Sequence, residues 1–452
     1  MKARGLRKGA APWLFFRGFT KSLQIPGKSA EALQNCDPSA IDFFRRPRLH
    51  WTGTEEDRGE SMRKLKRETW LRVVLYGMLA VASAVMIAAP LGGGNFRTLV
   101  SNGITYERGT VVEVLSEEFN TSQVEQSQLL GQQSLRVALK DGQSVLLNNY
   151  LTDTHNIRAE AGTAVVVCVD APEGVEPYYT LYNYDRSGAV ALIGALFVGL
   201  MVLIGRRRGL DAAIALLFSL LFFLRVTIPA IYEGASPIAV GMLTALVATA
   251  VTIVLLHGFH LRSILAIAVT LAGECAACLC FLAFSRLLHI SGFQTEEAES
   301  LLVVAQNTGL RIKHLLFAAT MVSSVGAVMD VAVSLLSALW ELRQTGAACS
   351  ARQLLKSGLN IGRDMIGTMS NTLIFAFAGG ALGTILVLFS YGVQANQMLS
   401  SDYIAVELAQ GVCGTVAVIL TVPLASLAAA AIFPRVENFQ VKAQQPRYSV
   451  MK

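Results

Sequence analysis

Apolar residues in this chain gather into long, nearly unbroken runs separated by short polar breaks. The first run is Val73–Pro90, and seven more follow Arg186, at 188–205, 210–229, 237–257, 262–288, 315–340, 368–390 and 411–433. A run of about 20 apolar residues crosses the hydrocarbon core of a bilayer as a helix, which satisfies its own backbone there. The pattern predicts a mainly α, polytopic helical membrane bundle of about eight transmembrane helices.

Between the first and second runs the period changes. Ser134–Leu139 alternates polar and apolar positions, as a half-buried strand does, and Val145–Leu147 continues beyond Lys140-Asp141-Gly142-Gln143. Asp-Gly suits a tight hairpin whose central residues need positive φ. Thr110–Val114 and Thr163–Val169 add two further strands. A small β-rich, barrel-like domain of OB or related type is expected at 91–187, although a β-sandwich fragment would show the same pattern.

Charge sharpens this picture. The 452 residues are 53% apolar and only 15% charged, well below the roughly one quarter charged residues of a soluble protein. Residues 1–72 hold 16 Lys/Arg and 8 Asp/Glu, whereas 91–185 hold 5 and 12. With an inside N-terminus, the segments left in the cytoplasm after the tail are Arg206–Arg208, the turn at His260 and Arg262, the loop 341–366 and the end from Pro434. They carry twelve basic residues, and the opposite loops at 230–236, 290–313 and 391–410 carry only Arg311 and Lys313. That asymmetry follows the positive-inside rule. It predicts a cell-membrane protein with both termini cytoplasmic and an extracytoplasmic β-rich domain.

The expected order is therefore a basic tail at 1–72, a signal-anchor helix at 73–90, the β-rich domain at 91–187, the helical membrane domain at 188–433 and a cytoplasmic end at 434–452. Residues 1–61 are polar, Pro/Gly-punctuated and without period, which reads as disorder. Met62 followed by Arg63-Lys64-Leu65-Lys66-Arg67 offers a second translation start ahead of the anchor. Ile87-Ala88-Ala89 also leaves open a cleaved signal peptide.

The chemistry on offer lies inside the spans. A charge at the bilayer centre costs roughly 2.5–3.5 kcal/mol on translocon scales. Asp330 sits near mid-span with Ser323, Gly326, Ser334 and Ser337 at helical spacing, a stripe expected to face other helices or water. It reads either as a cation or proton site or as a carboxylate that ties helices together. Glu274 has a similar depth, and were the two spans adjacent the carboxylates would share a site. Arg225 is expected to snorkel outward or to neutralise a carboxylate. Gly362–Asn371 reads as a loop entering a helix, with Asp364 near its start, Arg363 toward the lipid surface and Thr368, Asn371 and Thr372 carrying hydrogen bonds into the bilayer. Gly379, Gly380 and Gly383 read as sites of close helix packing.

The seven cysteines make no disulfide framework, since Cys168 is alone in the β-rich segment. Cys275, Cys278 and Cys280 sit among Ala and Leu, which supply no polar support for zinc, and read as small hydrophobes. No Walker loop, GxSxG, HExxH or dinucleotide fingerprint is present, so neither an enzyme nor a cofactor or metal site is expected.

Several strings resemble the YibE/F-like family of bacterial multi-pass membrane proteins. They are Tyr184-Asp185-Arg186, the Arg-rich turn ending Gly209-Leu210, Ile228-Pro229 with Gly234-Ala235-Ser236-Pro237, Gly326-Ala327-Val328-Met329-Asp330, and Gly362 through Leu373. The likeness runs from about Tyr106 to Phe433. It implies membership and no established activity.

Two functions fit. One is a transporter or permease-like protein whose path includes Asp330, Glu274, Ser323, Ser334, Asn371, Arg363 and Asp364. The other is a non-transporting receptor, scaffold or assembly partner that works through the β-rich domain. Expected partners are the lipid bilayer, a small solute or ion, and a second copy or another membrane protein, with no nucleic acid. The topology has a direct test. A reporter fused after Ala171 should report the outside and one after Gly346 or Lys452 the inside, and a cytoplasmic signal at Ala171 would overturn the orientation.

Overall fold

The computed structural model describes residues 55–89, 103–122, 128–172, 174–294, 297–346 and 350–436. Most of the N-terminal tail, and the C-terminal end from 437, lie outside them. Contacts divide the chain into 1–71 and 72–452, and the second unit holds both the barrel and the bundle. Helix α1 covers Glu55–Ala88, so residues 55–61 are helical, which corrects the expectation of disorder for that stretch.

Five strands follow: β1 Ile104–Thr121, β2 Leu129–Leu139, β3 Ser144–Leu151, β4 Ala164–Asp170 and β5 Tyr178–Tyr184. They close into a barrel in the order β1-β2-β3-β5-β4, with β3 and β5 parallel and the other pairs antiparallel. This is the OB-type arrangement. Register shifts after Val111 and Val114 bend β1, and such bends let one long strand pair with both β2 and β4. The β2–β3 turn departs from the expected two-residue form. Gly142 donates to the Leu139 carbonyl and is the one turn residue with positive φ, at 90°. That is a type I turn closed by a left-handed glycine.

Inward positions of the strands fill the barrel with Val111, Leu135, Val137, Leu147, Val165, Val167 and Leu181. Two buried amides close one end. Asn149 donates to Gln133 Oε1 at 3.1 Å and to the Ile157 carbonyl at 2.6 Å, while Gln133 donates to the Ala159 carbonyl at 3.0 Å. The backbone of the β3–β4 connection is thereby satisfied without a helix of its own. At the exit, Asp185 accepts from the Ser187 amide and hydroxyl and faces Arg108 at 3.5 Å. Those Ser187 bonds hold the Asp185 carboxyl below the usual range.

The helices are α2 Ser187–Phe222, α3 Ile228–Tyr232, α4 Pro237–His257, α5 Leu261–Leu287, α6 Ala298–Asn307, α7 Leu315–Gln344, α8 Ala351–Gly380, α9 Leu382–Ser390, α10 Ala395–Leu399 and α11 Asp402–Ile432. Helix α2 is interrupted at Arg206, whose φ of 50° and ψ of −125° are not helical. A Cβ on Gly209 would lie 1.9 Å from the Met201 carbonyl oxygen, although eight helical residues span about 12 Å. The chain therefore doubles back here, and only glycine fits the contact. Between α2 and α3, residues 223–227 form a π-helical turn. Pro229 cannot accommodate the carbonyl four residues before it, and the wider turn moves that carbonyl aside.

By length and composition, five helices among the described residues are able to cross a membrane, or six with α8 and α9 as one broken span. They make this a multi-pass membrane protein. α11 is central and packs on α5, α7 and α8. Its small residues permit this, and so do glycines on the partners: a Cβ at Gly362 would meet Val422 at 2.1 Å, and one at Gly358 would meet Ser426 at 2.4 Å.

Two sequence expectations fail in this region. α8 begins at Ala351 under a capping box from Ser350 and Gln353, so Asp364 lies in mid-helix rather than at a helix start. Its charged residues line an exposed face, and the helix continues through them. A Cβ on Gly379, Gly380 or Gly383 would meet nothing within 4 Å, so these three are not packing sites. They flank a 58° bend between α8 and α9. Gly362→Ala should therefore cost about 1–3 kcal/mol of stability through overpacking. Gly379→Ala should be neutral or slightly stabilising. Thermal unfolding of both variants in detergent checks the contrast, and equal losses would show that the α8–α11 contact is not the tight one.

Candidate functional site

The bend at Ala381 carries α9 away from α11 and opens a cavity of about 520 Å³. Its apolar wall includes Ile374, Phe377 and Leu316. Its polar groups are Gln294, Glu297, Thr384, Tyr403, Glu407 and Gln410, so among the described residues the lining holds two carboxylates and no Lys, Arg or His. Glu407 and Gln410 are one helical turn apart on α11 and face the same way.

A second feature lies beneath this floor. Gly411 is a lining residue beside Phe377, and Gly414, one turn further along α11, leaves room between Ser324 and Leu373. Ser324 in turn donates to Glu274 Oε2 at 3.0 Å. Glu274 is fully buried, and its Oε1 has no hydrogen-bond partner among the described residues. A carboxylate in that position, with one hydroxyl contact and no counterion, is costly as a bare anion. A proton or a bound cation has to offset it. The rise from Gly411 to Gly414 is about 4.5 Å, so the carboxylate sits roughly one turn below the cavity.

The expected path residues separate. α5 and α7 do pack together, yet Glu274 faces Ser324 while Asp330 is exposed on the opposite face of α7. The two carboxylates do not share a site. Ser323, Gly326 and Ser334 are exposed with Asp330, so this stripe, expected to face other helices or water, does not face the other helices of its own chain. Ser323 donates to the Thr320 carbonyl at 2.9 Å. On α8, Arg363, Asp364, Thr368, Asn371 and Thr372 are exposed as well, and Arg363 contacts Asn360 Oδ1 at 3.3 Å. None of these lines the cavity. Among the described residues no three metal-ligating side chains come together.

Sequence reasoning missed Glu407, which it assigned to an outer loop, and Gln410. A charge four residues past a polar break looks like a loop residue until the helix start is known. It also missed Asp211, which is buried and accepts a hydrogen bond from Tyr76 of α1. Arg225, expected to snorkel or to neutralise a carboxylate, meets no carboxylate among the described residues. Its guanidinium donates to the carbonyls of Met86, Ile87 and Ala89 at 2.8, 2.7 and 2.6 Å and so caps the end of α1. Arg225→Leu should strand those acceptors at about 1–3 kcal/mol. Hydrogen exchange across 72–89 should then rise while that of α11 stays unchanged, and unaltered protection in α1 would refute the capping role.

These features define a multi-pass membrane protein with a five-stranded barrel inserted after its first helix. The family model for YibE/F-like protein matches residues 193–435, and the chain belongs to that family. The match covers the helical domain and not the barrel, so it is shorter than the likeness from Tyr106. No curated protein and no solved structure matches the chain.

Proposed function

We propose that this protein is a permease-like transporter of the bacterial cell membrane that moves a small cationic solute against protons or another cation. The observation that carries this reading is the buried Glu274, with one unpartnered carboxylate oxygen, one helical turn below a cavity lined by Glu297 and Glu407. The cavity admits a solute, and its two carboxylates favour a cation. Glu274 accepts the proton or the cation in turn, because its burial makes neutralisation obligatory. No ATP-binding motif is present in the sequence, so an ion gradient is the natural driving force.

The reading takes eight spans: α1, the two arms of α2 on either side of Arg206, α4, α5, α7, the broken pair α8–α9, and α11. Both termini are then cytoplasmic, and the barrel and cavity are outside. A second reading, recognition through the barrel, draws support from its exposed tyrosines. Tyr106 and Tyr182 stack edge to face at 4.8 Å on the outer surface, with Tyr150 and Tyr178 also exposed.

Growth of a deletion strain under acid, metal and organic-cation stress should identify the solute. Proteoliposomes with an entrapped pH dye then test the mechanism. Wild type should dissipate an imposed pH gradient when that cation is added. Glu274→Gln keeps the Ser324 contact but cannot titrate, and should abolish the flux at normal abundance and thermal stability. Glu407→Gln should raise the half-saturating concentration about tenfold, as removal of one charge partner does. Full activity of Glu274→Gln would sink the coupling role, and a deletion phenotype without any flux would favour recognition through the barrel.

A further inference from the structure

The exposed polar faces of α7 and α8 pose a problem that the cavity does not solve. Asp330 lies at the middle of α7, on the side away from the bundle, with no bonding partner among the described residues. Turned toward lipid there, it would bear the full cost of a charge in hydrocarbon. α8 has the same defect, since Arg363 and Asp364 are exposed on its outer face without an ion-pair partner among the described residues.

The two helices are antiparallel and joined by the six residues 345–350, so their levels can be compared. Leu339 of α7 lies beside Gly358 of α8, while Ser324 and Leu373 meet across Gly414. These levels are fifteen residues apart on both helices. Asp330 is therefore level with Gly367. Arg363 lies four residues from that level, about 6 Å of helical rise, which an extended arginine side chain covers. Ser334 is level with Arg363, and Gly326 with Asn371.

We propose that the α7–α8 face is the contact surface for a second copy of this chain, related by a two-fold axis along the membrane normal, with Asp330 of each copy paired to Arg363 of the other. A two-fold axis in that direction preserves depth and makes every contact reciprocal. At matched depth the faces complement one another: carboxylate meets guanidinium, and small Ser323, Gly326 and Ser334 let polar Asn360, Thr368 and Asn371 approach. Intramembrane charges pair with one another in this way because hydrocarbon offers them nothing else. The charge complementarity within a single chain selects a second copy over an unrelated protein. The inference is independent of transport, since none of these residues lines the cavity.

The test counts subunits of the full-length chain in lipid bilayers at high dilution by single-molecule photobleaching. Wild type should be dimeric. Asp330→Arg and Arg363→Asp should each raise the dissociation constant about tenfold or more, as loss of one partner of a charge pair does. The double variant D330R/R363D should restore the dimer. Asp330→Asn and Arg363→Gln serve as milder variants should the reversals fail to fold, with the same loss expected. In native membranes, Gly326→Cys combined with Asn371→Cys, which leaves the charge pair intact, should give an oxidation-dependent dimer band absent from the parent chain. Monomeric wild type, dimers indifferent to the single substitutions, a charge swap that does not restore association, or cross-linking to a different protein would each overturn the proposal.

Discussion

Hydrocarbon supplies no hydrogen bonds, and the membrane domain is organised around that constraint. Six hydroxyls in its interior bond back to their own helices: Thr244, Thr270, Thr320, Thr415, Thr421 and Ser426 each donate to the carbonyl four residues earlier. This local bond makes a polar residue tolerable in a packed interface without a specific partner. Arg225 solves the reverse problem, because it brings donors to the free carbonyls at the end of α1. Against this background two carboxylates with unpartnered oxygens among the described residues stand out, because an acidic group costs more to leave bare than a hydroxyl. Glu274 Oε1 lies inside the bundle and the Asp330 carboxylate outside it, and the first points to chemistry and the second to assembly.

The same constraint removes the hydrophobic effect as a force between helices, so close packing has to hold the bundle. That explains why α11 is built from Ala, Gly, Val and Thr along its buried side and why Gly358 and Gly362 face it. The tight contact occupies one end of the α8–α11 pair. At the other end Gly379 and Gly380 release α8 from straightness, and the bend leads α9 away. One helix pair is thus sealed at one end and open at the other. The cavity follows from where glycines face a neighbour and where they do not.

The positions of the helices were legible from hydropathy because their length is set by the bilayer. α4 coincides with the expected run, and α5 and α7 begin within a residue of theirs. The β2–β3 hairpin was legible too, from Asp141-Gly142 and the alternation on either side. β5 was not, because Tyr178–Tyr184 is aromatic on both faces and shows no period. The start of α8 was hidden because charges within a helix resemble a loop when the exposed face is polar. The candidate site was only partly legible. Glu274 could be named from its depth, but the rotation of α5 and α7 about their axes decides what a carboxylate faces, and near-uniform hydropathy around both helices conceals that rotation. Glu274 and Asp330 therefore looked equivalent until their faces were known.

Rotation also determines what a transport cycle would have to move. Below Gly414, α11 buries Ala417, Val418, Val422, Ala425 and Ala429 in one continuous core with α7 and Leu354 of α8. Glu274 is therefore one turn from the cavity but separated by several packed layers from the side of the 345–350 loop. A carboxylate that serves both sides needs those layers to part while the cavity closes. α8 is broken at Ala381 and continuous from there to its cap at Ser350, and it meets α11 both at Gly358 and Gly362 and through the buried side chains of Leu354 and Leu373, so those layers part only if interlocked side chains separate as well.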